Sequence, residues 1–146
     1  MLVHQILRAK GQNRDEVLTV GPERPVSEAI RLLSERHVGA LVVVAEGGRL
    51  VGMLSERDVV RELGRRGNAS LDDKVSALMT AEIAICGPED LADQVLARMT
   101  AGRFRHMPVL RDGRMIGLIS IGDVVKARLD ELAMEKEALK GMIMGY

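Results

Sequence analysis

The sequence predicts an α/β protein of the α+β type, made of two copies of one β-α-β-β-α unit. Three observations carry this expectation. The segment Gly52-Met53-Leu54-Ser55-Glu56-Arg57-Asp58-Val59-Val60 returns 65 residues later as Gly117-Leu118-Ile119-Ser120-Ile121-Gly122-Asp123-Val124-Val125, and both copies keep G-x-x-S-x-x-D-V-V. Gly21-Pro22-Glu23 returns as Gly87-Pro88-Glu89, and Leu41-Val42-Val43-Val44 as Met107-Pro108-Val109-Leu110, both at an offset of 66. Gly48-Arg49-Leu50-Val51-Gly52 matches Gly113-Arg114-Met115-Ile116-Gly117 at 65, so a one-residue deletion in the second turn aligns the copies. Self-similarity at a fixed period marks a duplicated supersecondary unit. Residues 17–62 and 83–127 are the two copies.

Within the first copy, Val17-Leu18-Thr19-Val20 is a short β-rich run stopped by Gly21-Pro22. From Ser27 to Arg36 the apolar positions Ala29, Ile30, Leu32 and Leu33 have helical spacing. Leu41 to Val44 is continuously apolar, as in a strand buried on both faces. Glu46-Gly47-Gly48 is a turn, and Asp112-Gly113 its shorter counterpart. Leu50 to Leu54 is the next strand, and Ser55 caps a helix running to Leu63, where Gly64 and Gly67 stop it. The second copy repeats the order: a strand at Ile83–Cys86, a helix at Glu89–Ala101, strands at His106–Leu110 and Met115–Ile119, and a helix from Ser120 that runs on through Leu139. Two lead-in helices are expected, His4 to Lys10 before the first copy and one within Asp72 to Thr80 before the second. The chain thus divides into a lead-in helix (1–16), a first repeat (17–71), a second repeat with its lead-in helix (72–127) and a helical tail (128–146).

At 146 residues, 47% of them hydrophobic, there is material for one domain, or two halves that each struggle to bury enough surface alone. Phe104 and Tyr146 are the only aromatic residues, which argues against single-stranded nucleic acid held by stacking. A net charge of zero gives no bias toward nucleic acid or anionic membrane. The single cysteine, Cys86, excludes an intrachain disulfide and reads as a buried hydrophobe. The apolar runs are too short for a signal peptide or a membrane span, so the expected location is cytoplasmic.

A serine at a helix start presents backbone N–H groups beside a hydroxyl, which suits an anion. Asp58 and Asp123 lie three residues beyond Ser55 and Ser120, where a carboxylate can accept hydrogen bonds from a vicinal diol such as ribose. Each such charged bond is worth roughly 1.5–3 kcal/mol. For a single copy a capping box, with Asp in the place usual for Glu or Gln, is the better explanation. Its recurrence, each time with a glycine three residues before the serine, favours a paired ligand site. Arg57 is either a phosphate clamp or a solvated helix residue, and Gly122 replaces it in the second copy. Arg103, Arg105 and His106 make a cationic cluster before the second core strand, where the first copy has Val38-Gly39-Ala40. His4, His37 and His106 lack metal-ligand spacing, and no nucleophile motif or P-loop is present. The pattern is that of a binder without catalytic or metal residues.

The ordered set of Gly-Pro, helix, A-L-V-V or H-M-P-V strand, G-R-φ-φ-G strand (φ apolar) and S-x-x-D helix resembles the CBS (cystathionine β-synthase) domain, and the tandem resembles a stand-alone Bateman module. The resemblance covers nearly the whole chain. It implies a pseudo-twofold pair with two clefts between the repeats that take adenosine compounds: AMP, ADP or ATP, with NAD or S-adenosylmethionine as further candidates. By position it implies Asp58 and Asp123 at ribose and Ser55 and Ser120 near phosphate. It places the backbone of Gly39-Ala40 and His106-Met107 beside the base, with Arg105 and His106 available to phosphate. It implies a homodimer, and a regulated protein as a further partner. The alternative is a ligand-free interaction scaffold. In the tail, Val125, Leu129, Leu132, Leu139 and Ile143 follow a heptad seam interrupted by Lys136, suited to packing on the chain's own module or on its dimer mate.

Overall fold

A computed structural model describes residues 1–11 and 16–145. In chain order the elements are α1 (Val3–Lys10), β1 (Thr19–Val20), α2 (Val26–Arg36), β2 (Ala40–Ala45), β3 (Arg49–Ser55), α3 (Glu56–Arg66), α4 (Val75–Leu78), α5 (Ala92–Gly102), β4 (His106–Arg111), β5 (Arg114–Ser120) and α6 (Ile121–Met144). They form two compact units, Asp15–Ala84 and Met1–Arg14 with Ile85–Tyr146.

In the Asp15–Ala84 unit, β2 is the central strand, parallel to β1 and antiparallel to β3. Its residues Leu41, Val42 and Val43 are fully buried, which explains the unbroken apolar run. Val20, Val26, Ala29, Leu33, Leu41, Val43, Leu54, Val59, Val75 and Leu78 make one core. In the other unit β4 and β5 pair antiparallel, and both hairpins shift register at matching places, Val43/Val44 and Val109/Leu110. The one-residue deletion lies in the turn. Gly47 and Gly48 join β2 to β3 at φ of 83° and 81°, whereas Asp112 and Gly113 close the tighter β4–β5 hairpin at 51° and 78°.

The expected strand at Ile83–Cys86 is reduced to a single parallel bridge, Cys86 to Val109. Proline explains the difference. In the first unit the Val42 N–H donates to the Leu18 carbonyl at 3.2 Å. Pro108, the residue equivalent to Val42, has no N–H to give, so the second ladder ends after the Cys86 N–H bonds to the Pro108 carbonyl and the Leu110 N–H to the Cys86 carbonyl. Helix α3 also passes through Gly64 and ends only at Gly67, whose φ of 65° provides the stop.

The lead-in helices pack against the opposite repeats from those that follow them in the chain. In the first unit the Val26 N–H donates to Asp73, Val75 to Arg24 and Ser76 to Pro22, which ties α4 onto the first repeat. The same three bonds recur as Ala92 to Met1, Val3 to Asp90 and His4 to Pro88, which tie α1 onto the second repeat. The sequence sets 1–16 apart as a lead-in helix and groups 72–127 as the second repeat with its own lead-in helix; in the structure α4 is bonded to the first repeat and α1 to the second. Helix α6 runs unbroken from Ile121 to Met144, as the sequence leads one to expect through Leu139.

Candidate functional site

Each repeat builds one corner where its central strand begins and its last helix starts. In the first, Ala40 lies opposite Ser55 across the β2–β3 ladder, and the Glu56 N–H donates to the Gly39 carbonyl at 2.9 Å. In the second, His106 lies opposite Ser120, and the Ile121 N–H donates to the Arg105 carbonyl at 2.8 Å. Gly39, Ala40, Ser55 and Asp58 are thus brought together in one corner, and Arg105, His106, Ser120 and Asp123 in the other. Arg57 is exposed on the first turn of α3, and Arg103 is an exposed left-handed cap of α5 at φ 57°. Met107 is fully buried and paired with Ile119, so only its backbone is available beside a ligand.

Both S-x-x-D motifs form complete capping boxes. The Ser55 hydroxyl accepts from the Asp58 N–H at 3.2 Å, and the Asp58 carboxylate accepts from the Ser55 N–H at 2.9 Å. The corresponding distances for Ser120 and Asp123 are 3.1 and 2.8 Å. The motif glycines have a packing cause. A Cβ on Gly52 would stand 2.8 Å from both Met79 Sδ and the Thr80 carbonyl oxygen, and one on Gly117 would stand 2.7 Å from Leu7 Cδ2. Each glycine admits the lead-in segment that closes its repeat.

The two carboxylates differ in their further partners. Asp58 is buried and also accepts from the Ser55 hydroxyl, from Arg61 at 3.1 Å and from Thr80 at 3.4 Å. Asp123 is only partly buried and accepts from Lys10 Nζ at 2.7 Å, while Lys10 also donates to the Leu118 carbonyl at 3.0 Å. Burial pushes the Asp123 carboxyl up, but the Lys10 ammonium and the Ser120 N–H and hydroxyl outweigh it and hold it below the ordinary carboxylate range. Lys10, Arg61 and Thr80 are the residues that sequence reading missed. Arg61 stands one helical turn from Asp58 and was open to detection by spacing. Lys10 reaches Asp123 through tertiary packing that no local pattern announces. Among the described residues no group of three His, Cys, Asp or Glu is placed to hold a metal ion, and no helix is long and apolar enough to cross a membrane.

CBS domains match residues 13–65 and 75–130. The chain belongs to the CBS domain family. This is a regulatory family without catalytic machinery of its own, and the chain carries it as a tandem, a Bateman module. It is 35% identical to the mitochondrial CBS domain-containing protein CBSX3 of Arabidopsis thaliana, over 98% of this chain and 72% of that protein. A crystal structure of a CBS-domain protein from Agrobacterium tumefaciens superposes with a TM-score of 0.83 at 43% identity, over 88% of this chain and 99% of that one. The structure of CBSX2 in complex with AMP superposes with a TM-score of 0.73 at 27% identity, over 88% and 96% of the two chains.

Proposed function

We propose that this CBS-domain pair is a regulatory module that senses adenosine nucleotides, with AMP, ADP or ATP bound at the corners formed by Gly39, Ala40, Ser55 and Asp58 and by Arg105, His106, Ser120 and Asp123. The observation that carries the reading is the twofold construction of one corner: a strand-start carbonyl, a helix-start serine and a carboxylate, held by the same hydrogen bonds each time. A ribose diol donates to the carboxylate. The helix start accepts negative charge, with Arg57 beside the first corner and Arg105 and His106 beside the second as phosphate partners. The AMP complex of CBSX2 supports this ligand class. At Asp58 a diol meets an Oδ1 that already accepts from Arg61 and Thr80, whereas at Asp123 the Ser120 N–H and Lys10 both bond Oδ2 and Oδ1 is the oxygen offered to a diol, so the second corner takes ligand first. The reading includes a homodimer, and a protein whose activity the module adjusts.

A second reading is a ligand-free interaction module. Its support is that the capping boxes and the packing on Gly52 and Gly117 account for the repeated motif without a ligand.

Calorimetric titration of nucleotide-free protein with AMP, ADP, ATP, NAD and S-adenosylmethionine separates the two. The paired variants are Asp58→Asn and Asp123→Asn, which keep an oxygen for the cap while removing the charge. The expected result is saturable binding of one nucleotide, weakened about 10- to 100-fold in Asp123→Asn, from the loss of one or two charged hydrogen bonds. No heat from any of the five overturns the sensor reading in favour of the interaction module.

A further inference from the structure

We propose that α6 pairs with α6 of a second copy of this chain as a parallel, in-register two-stranded coiled coil. The inference deepens the homodimer part of the reading above and rests on it. Val124 and Ala127 bury one face of α6 in its own unit, and Glu131 reaches the Met1 amino group there at 3.1 Å. From Leu132 to Lys140 every residue is exposed. A helical segment of that length with nothing against it is marginal in water.

The exposed part has its own apolar line, roughly 130° around the helix from the mean direction of Val124 and Ala127. Val125, Leu129, Leu132, Lys136, Leu139 and Ile143 alternate at spacings of four and three, the seam of a coiled coil, over roughly 27 Å of helix. Leu129, Leu139 and Ile143 are 61%, 58% and 83% exposed, more than a helix leaves in water when its seam has a neighbour.

Charge selects the occupant and its direction. In a parallel, in-register pair the flanking Glu135 of one helix faces Lys140 of the other, twice by symmetry. In the antiparallel pairing that aligns the same seam, Glu135 faces its own copy and Lys126 faces Lys140, so like charges meet on both flanks. Lys136 then sits at a single core position, a device that limits strand number and fixes register at some cost in stability.

The test uses the full chain with Cys86→Ala, each variant's mass measured by sedimentation. Leu139→Cys is expected to form a disulfide-linked dimer on mild oxidation, because parallel register brings this position against its own copy. Lys140→Glu is expected to weaken dimerisation several-fold, and Glu135→Lys/Lys140→Glu to restore it. A dimer that Leu139→Cys does not cross-link overturns the α6 pairing and leaves the homodimer standing; a monomer overturns both. Tighter dimerisation of Lys140→Glu, with cross-links only between Leu129→Cys and Leu139→Cys chains, overturns the parallel direction.

Discussion

Adding a single methyl group at Gly52 or Gly117 tests what the repeated motif is for. On a free strand, Gly→Ala stabilises by about 0.4–1 kcal/mol, because the unfolded chain loses more freedom than the native one. Here a Cβ at Gly52 meets the Thr80 carbonyl oxygen and Met79 Sδ, both at 2.8 Å. The carbonyl is held in place, since the Met53 N–H donates to it at 3.0 Å and the Thr80 N–H donates to the Met53 carbonyl at 2.8 Å. The strand must therefore move, and overpacking of this kind costs about 1–3 kcal/mol. At Gly117 the clash at 2.7 Å is with the end of the Leu7 side chain, which can turn aside, so the net cost there is about 0–1.5 kcal/mol. Thermal unfolding followed by circular dichroism should show Gly52→Ala melting roughly 2–12 °C below wild type, at about 2–4 °C per kcal/mol for a chain of this size. Gly117→Ala should melt closer to wild type. Equal or reversed losses, or two neutral variants, would refute the packing account of the glycines and return them to the ligand.

Other outcomes follow from the same geometry. The Asp123 carboxyl is depressed in the folded state, so its contribution to stability is present above the ordinary value of 3.8 and is lost as pH falls through the lower folded value. Lys10→Ala should therefore be less stable than wild type at pH 7, by about 0.2–1 kcal/mol for a partly exposed pair, with the difference shrinking in acid; a difference that grows in acid contradicts the Lys10 contact. Burial pushes the Cys86 thiol up to about 12, with Asp90 adding to the shift. A thiol reagent at pH 8 should leave the native protein unmodified and label the urea-unfolded chain, and rapid native labelling would place Cys86 outside the core.

Most elements were legible because their causes are local. Alternating turn residues, the β-branched run of β2, and Ser-x-x-Asp at two helix starts depend on neighbours within a few positions. The same logic failed at Ile83–Cys86, where Pro108 on the neighbouring strand has no N–H to give the Ala84 carbonyl, the bond that Val42 gives Leu18 in the first repeat. It failed again at Gly64, because one glycine inside a helix weakens it without ending it, whereas Gly67 takes a positive φ of 65° with ψ at −148°, a backbone that glycine adopts readily and that leaves the helix. At the site, the serine–aspartate pairs stand out by repetition and Arg105 and His106 as a cationic cluster, while Gly39 and Ala40 enter only through the family resemblance. Their donors, Lys10 and Thr80, were not, since each comes from a lead-in segment distant in sequence from the aspartate it meets.

The sequence by itself therefore determined the duplication, the order of elements within each repeat and the two Ser-x-x-Asp helix starts, because periodicity, caps and turns are written in adjacent positions. Only the tertiary structure decided which lead-in helix closes which repeat, why the motif carries glycine, and which cation rests on Asp123. Those depend on surfaces meeting across gaps in sequence. Chain order assigned the lead-in helices one way, and the backbone N–H groups of Val26, Val75, Ala92 and Val3 found their acceptors the other way.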